Sequence, residues 1–154
     1  MAARFGDDDF LAAWAHGWSC GDPEALVPLY APGCVYVDVG SSVEVNGHDQ
    51  LRRFYRTMLA FAPDSDIRFL DLYGDGRGFA AEWVWSGTAS GSIMIDGQVL
   101  ACPGASFSVP GVAYCRLAED GAIASHKDYY DMRAVLKQAG LLAEAQSAED
   151  RPGS

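Results

Sequence analysis

The sequence has little with which to hold a metal ion. Its 154 residues include only three histidines (His16, His48, His126) and four cysteines (Cys20, Cys34, Cys102, Cys115), widely scattered and without a CxxC pair. No zinc-ligand spacing results, and the cysteines read as reduced core thiols. Cations are also scarce, 11 Lys+Arg against 21 Asp+Glu, for a formal net charge of −10. Such a field repels a phosphate backbone, and no Lys/Arg cluster offsets it, so nucleic acid is excluded as a partner. Nowhere do about 18 apolar residues stand in succession, and the opening MAARFGDDDF turns acidic before any apolar run develops. No membrane partner and a cytoplasmic location are therefore expected. Absent too are a Gly-x-Gly-x-x-Gly or P-loop pattern and a Gly-x-Ser-x-Gly context around Ser106 or Ser108. Cys115 lies in an apolar stretch, so nucleophilic catalysis has no support and no cofactor site is evident.

What is present suits a folded domain. Hydrophobic residues make up 49% and charged residues 21%, and the length is enough to bury a continuous core without disulfide or metal staples. Residues 1–140 read as a single domain, and 141–154, small, acidic and Ala-rich, as a flexible tail.

Asp7 to Asp9 are placed to cap a first helix in which Phe10, Leu11, Trp14 and Trp18 make one apolar face. Gly21 breaks it, and Asp22 followed by Pro23 opens a short second helix. After an Ala31-Pro32-Gly33 break comes CVYVDVG, a strand with Cys34, Tyr36 and Asp38 on one face and Val35, Val37 and Val39 on the other. Residues 47–61 form a third helix with Leu51, Phe54, Tyr55 and Met58 on one stripe and Arg52, Arg53 and Arg56 turned to solvent. Strands are expected at 66–73, 78–88, 91–101, 105–117 and 122–131, and a last helix at 132–138. Helices first and a meandering sheet afterwards predict an α+β fold, with N-terminal helices wrapping a curved sheet around an apolar pocket.

The chemistry concentrates in SHKDYYD at 125–131, where period-two alternation puts His126, Asp128 and Tyr130 on one face of a strand. Facing a pocket, Asp128 would be a partly desolvated carboxylate suited to proton transfer, with His126 beside it. Equally, Asp128 could accept a structural hydrogen bond from Tyr or Arg. Asp38 lies on the Tyr36 face of an otherwise apolar strand, where it needs a partner or a task; capping the turn at Gly40, Ser41 and Ser42 is the other possibility. Trp83 and Trp85 alternate onto one face and, with Trp14, Trp18 and Tyr36, supply an aromatic wall suited to a flat apolar ligand. Tyr55, Met58, Cys115 and Tyr130 complete the expected substrate-binding set.

The segments GDPEALVPLYAPGCVYVD, NGHDQLRRFY, EWVWSGT and DGAIASHKDYYDM, in that order over residues 8–140, resemble the SnoaL-like polyketide cyclases of the nuclear-transport-factor-two-like superfamily, relatives of ketosteroid isomerases and limonene-type epoxide hydrolases. The resemblance implies a cone-like, mixed but mostly antiparallel sheet, a homodimer, and a small hydrophobic, polyketide- or terpenoid-like substrate. It implies a catalytic acid at Asp128, a proton-shuttling base at Asp38 and a water-positioning tyrosine at Tyr36. Trp14 and Ala113 stand where the isomerase oxyanion hole would be, and Trp83 and Trp85 where the epoxide hydrolases carry Arg and Asp. Both of those mechanisms lose their key groups, which leaves a cofactor-independent cyclase or isomerase with Asp128 as acid/base and His126 or Asp38 assisting. A non-catalytic binding or dimerisation module, and an enzyme of epoxide hydrolase or dehydratase type, are the alternatives. Fold alone does not choose between them.

Overall fold

Helix α1 (Phe10–Ser19) forms because Phe10, Trp14, Gly17 and Trp18 recur on one face and are buried there. The computed structural model describes residues 2–142. Asp9 occupies the N-cap position of α1 but makes no side-chain cap bond, and Asp7 instead accepts from the backbone N–H of Arg4. Helix α2 (Pro23–Leu26) is capped as its sequence predicts, with the Asp22 carboxylate accepting from the Glu24 N–H and Pro23 in the first turn. A single 3-10 turn (Val27–Leu29) leads into β1 (Tyr30–Asp38).

The rest of the chain runs β2 (Val43–Asn46), α3 (Gly47–Phe61), β3 (Asp66–Asp75), β4 (Gly78–Ala89), β5 (Ser92–Ile95), β6 (Gln98–Ala101), β7 (Ala105–Leu117), β8 (Ile123–Tyr130) and α4 (Met132–Gln138). Six strands make one curved, unclosed sheet in the order β2-β1-β8-β7-β4-β3. All neighbours are antiparallel except β1 and β8, which pair in parallel with Tyr36 opposite His126 and Asp38 opposite Asp128. The fold is thus the mixed, mostly antiparallel α+β arrangement that the sequence suggests.

One face of the sheet buries Cys34, Tyr36, Phe79, Trp83, Phe107, Val109 and Cys115 against Trp14, Trp18, Leu51 and Tyr55 of the helices. Cross-strand pairing keeps these side chains on one surface because the period is two on every strand. The register shifts between Phe69 and Asp71 on β3, between Arg116 and Leu117 on β7, and between Tyr30 and Val35 on β1, so Ala31-Pro32-Gly33 is an irregularity inside the strand rather than a break before it.

Three further features depart from the sequence reading. Strand β2 was not expected. The stretch 91–101 folds as a hairpin, β5 with β6, outside the main sheet, because Asp96 and Gly97 both take left-handed φ (50° and 78°) and reverse the chain between them. Cys34 and Cys115 are buried thiols and Cys102 is half-buried against the core, but Cys20 is exposed and is not a core residue. Of the expected tail, Leu141 and Leu142 are described and 143–154 lie outside the described residues.

Candidate active site

A cavity of about 820 Å³ opens between the concave face of the sheet, helix α3 and the β5–β6 hairpin. Its floor carries Tyr36 and Asp38 from β1 and Asp128 and Tyr130 from β8, and its walls carry Trp18, Phe54, Met58, Trp83 and Trp85. The two aspartates occupy opposed positions of the parallel pair, and both are nearly closed off, at 5% exposure for Asp38 and 8% for Asp128.

Three donors converge on Asp128. The Tyr36 hydroxyl donates to Oδ2 at 2.7 Å, while Oδ1 accepts from the Trp83 indole N–H at 3.0 Å and lies 2.8 Å from Nε2 of His126. A carboxylate offers about four acceptor positions, so about one remains to meet a ligand from the cavity side. Burial first, and then the charges of Asp128 and Asp38, hold the Tyr36 hydroxyl well above its ordinary pKa. Tyr36 therefore keeps its proton and acts as a donor.

Behind Asp128 the contacts continue away from the cavity. His126 is 1% exposed, and its Nδ1 lies 2.8 Å from the Tyr30 hydroxyl, which accepts from the Trp14 indole N–H at 3.0 Å. With a Tyr30 lone pair engaged by Trp14, its hydroxyl hydrogen is free to go to Nδ1, which leaves Nε2 as the donor to Asp128. Burial, the largest cause, drives the Tyr30 hydroxyl well above its ordinary pKa as well.

Asp38 has a different environment. Its Oδ1 accepts from the Ser41 N–H at 3.0 Å and its Oδ2 from the Tyr130 hydroxyl at 2.9 Å. Burial raises its pKa, and the nearby Asp128 charge adds to that, against the lowering effect of the two donors. Burial and the Asp38 charge in turn push Tyr130 far up. The turn-capping reading of Asp38 and the pocket reading both describe this residue, one for each oxygen.

Two glycines seat the aromatic donors. A Cβ on Gly40 would come within 2.6 Å of the Tyr130 ring, and one on Gly111 within 2.3 Å of the Trp83 ring. Each ring lies flat on backbone because no side chain intervenes.

The residues singled out from the sequence thus divide by position. Asp128, Asp38, Tyr36, Trp18, Met58, Trp83, Trp85 and Tyr130 line the cavity, and His126 stands directly behind Asp128. Trp14, Tyr55 and Cys115 do not line it. Trp14 stacks on Phe69 at 4.1 Å in the core. The Tyr55 hydroxyl donates to the Gly17 carbonyl and accepts from the Gly21 N–H, tying α3 to the end of α1. Cys115 is buried opposite His126 in the β7–β8 register. Sequence reasoning overlooked Phe54, Ile93, Met94 and Val99, which line the cavity, and Tyr30, Gly40 and Gly111, which support, directly or through His126, residues that do. Tyr30 is buried and shares its parity with Cys34, Tyr36 and Asp38, but the exposed Pro32 and the register shift before Val35 break the alternation between them.

The curved, unclosed, mostly antiparallel sheet with its N-terminal helices is the ketosteroid-isomerase-like fold. The SnoaL-like domain family matches residues 10–126, and the chain belongs to that family. Among solved structures, a hypothetical protein of ketosteroid isomerase-like fold from Catenulispora acidiphila, in complex with trimethylamine, is 27% identical over 88% of this chain and 95% of its own, with a TM-score of 0.73. IdmH from Streptomyces antibioticus, a candidate polyketide cyclase, is 25% identical over 86% of this chain and 96% of its own, with a TM-score of 0.69. A candidate SnoaL-like polyketide cyclase from Jannaschia is 20% identical over 86% and 90%, with a TM-score of 0.73, and shows the shared fold. No curated protein matches the chain.

Proposed function

We propose that this protein is an acid/base enzyme that cyclises or isomerises a small, flat, hydrophobic carbonyl compound of polyketide or terpenoid type. The observation that carries the reading is the pair Asp38 and Asp128, opposed on adjacent strands at the cavity floor, each held by a tyrosine from the other's strand. Asp128, met by donors on both oxygens, is the base that takes a proton from the carbon next to a carbonyl. Asp38, whose pKa burial raises, is the acid that protonates the carbonyl oxygen. In a cyclisation the carbon of the enol so formed adds to a second carbonyl of the same molecule, and the enol's proton passes to that second oxygen as the first carbonyl re-forms. Asp128 then returns its own proton through solvent or to Asp38, so atoms and charge balance without any further reactant. Trp83, Trp85, Trp18 and Phe54 hold the substrate in its reactive shape.

The test needs no knowledge of the natural substrate. 2-Tetralone is flat and apolar and has acidic protons beside its carbonyl, and its exchange with deuterium oxide is read by proton NMR. The wild-type protein accelerates that exchange, Asp128→Asn lowers the acceleration by about 10²- to 10⁴-fold, and Asp38→Asn lowers it less. Binding of the ketone without acceleration would make the cavity a binding module, a reading favoured by the occupation of most acceptor positions on Asp128.

We further propose that the protein forms a homodimer through the outer face of the sheet. Val112, Tyr114 and Tyr129 lie there as neighbours on β7 and β8, and 41 to 47% of each is exposed. That is a contiguous patch of the kind an interface covers.

A further inference from the structure

Helix α3 carries Arg52 and Arg53 side by side, and they have different surroundings. Arg52 bridges to Glu24 and to Asp49. The Arg53 guanidinium has no ion pair or hydrogen-bond acceptor among the described residues, although acids outnumber cations by 21 to 11 in the chain. Arg53 is exposed and lines the cavity. The other charged residues lining that cavity are Asp38, Asp96 and Asp128, so Arg53 is its single cation among the described residues. Asp38 and Asp128 are buried at the floor, while Arg53 on α3 and Asp96 on the β5–β6 hairpin stand where solvent reaches the lining.

This distribution discriminates between ligands. An anionic group at the floor would face two carboxyls in a poorly solvated space and be repelled. The same group at the rim would meet a guanidinium whose fork of donors is unengaged. We propose that Arg53 is a specificity-determining residue that binds an anionic oxygen group of the ligand. The protein then takes a flat apolar molecule with a carboxylate, or a comparably acidic hydroxyl, at the end remote from the reacting carbon. The inference rests on the cavity being the ligand site and adds the ligand's polarity and its orientation in the cavity.

The test uses the full chain and two probes of one shape, anthraquinone-2-carboxylate and anthraquinone-2-carboxamide. Binding is read by quenching of tryptophan fluorescence, since Trp18, Trp83 and Trp85 all line the cavity. The wild-type protein binds the carboxylate roughly three- to tenfold more tightly than the carboxamide, a preference that shrinks as salt is added. Arg53→Gln removes the preference and leaves the carboxamide affinity unchanged, and Arg53→Lys retains part of it. Equal affinities in the wild type, or an Arg53→Gln loss that is the same for both probes, would overturn the role of Arg53 and leave the cavity reading standing. If neither probe binds, the cavity reading fails and the proposal fails with it.

Discussion

The Tyr36 hydroxyl of β1 donates to Asp128 of β8 at 2.7 Å, and the relation is returned across the same pair of strands, where Tyr130 of β8 donates to Asp38 of β1 at 2.9 Å. Parallel register with Asp38 opposite Asp128 makes this exchange possible, because each tyrosine stands two residues along from the acid of its own strand. Neither carboxyl is held by its own strand's tyrosine. Distortion of the β1–β8 pair would therefore disturb both acids together.

Removing one donor should act mainly on the acid it serves. Tyr36→Phe leaves Asp128 short of a hydrogen bond to a charged, buried acceptor and costs about 2 kcal/mol of stability. Urea melts measure the loss, and tetralone exchange falls with it. Tyr130→Phe should depress exchange less, because the acid it deprives of a donor is Asp38.

The glycine seats give a change that adds one carbon and deletes no polar group. Gly111→Ala drives a methyl into the Trp83 ring and costs about 1–3 kcal/mol; Gly40→Ala does the same beneath Tyr130. Each should shift tryptophan emission or tetralone exchange while the far-ultraviolet circular dichroism stays that of the wild type.

Asp38 should leave its mark on stability against pH. Its folded-state pKa is raised, chiefly by burial, above an unfolded value of about 3.9. The folded protein therefore binds the proton more tightly than the unfolded chain. The stabilisation is complete below the unfolded value and is lost as pH rises through the folded one. Asp38→Asn carries no such dependence, so relative to the wild type it gains stability as pH increases across that interval and holds the gain above it. Melts at a series of pH values read the difference.

The outer face of the sheet predicts an oligomeric state. Wild-type protein should have the mass of a dimer in light scattering, and Val112→Lys with Tyr129→Lys should give a monomer of unchanged secondary structure. A monomeric wild type would remove this proposal without touching the cavity.

Much of the site could be read in advance because strands announce facing through parity. His126, Asp128 and Tyr130 share a face in the sequence and in the fold, and Tyr36 shares one with Asp38. Parity does not tell which strands are neighbours. The parallel pairing of β1 with β8 joins residues 92 positions apart, and nothing local encodes it. Trp14 was placed on the cavity wall by helical spacing, yet that spacing fixes only the buried side of α1. Trp18, a turn further on, is the one that reaches the cavity. The β5–β6 hairpin was hidden for a related reason: alternation over 91–101 fits one long strand, and only the left-handed pair Asp96 and Gly97 divides it. Gly40 and Gly111 matter for side chains they lack, which a single sequence does not display.

The most direct measurement is a carbon-detected NMR titration of the Asp38 carboxyl in the wild type and in Asp128→Asn. The coupled pair requires that Asp38 titrate above the ordinary aspartate value of about 3.9 in the wild type, and that its pKa fall when the Asp128 charge is removed. An Asp38 that titrates at the ordinary value and ignores the substitution would contradict the pairing of the two acids and the division of labour built on it.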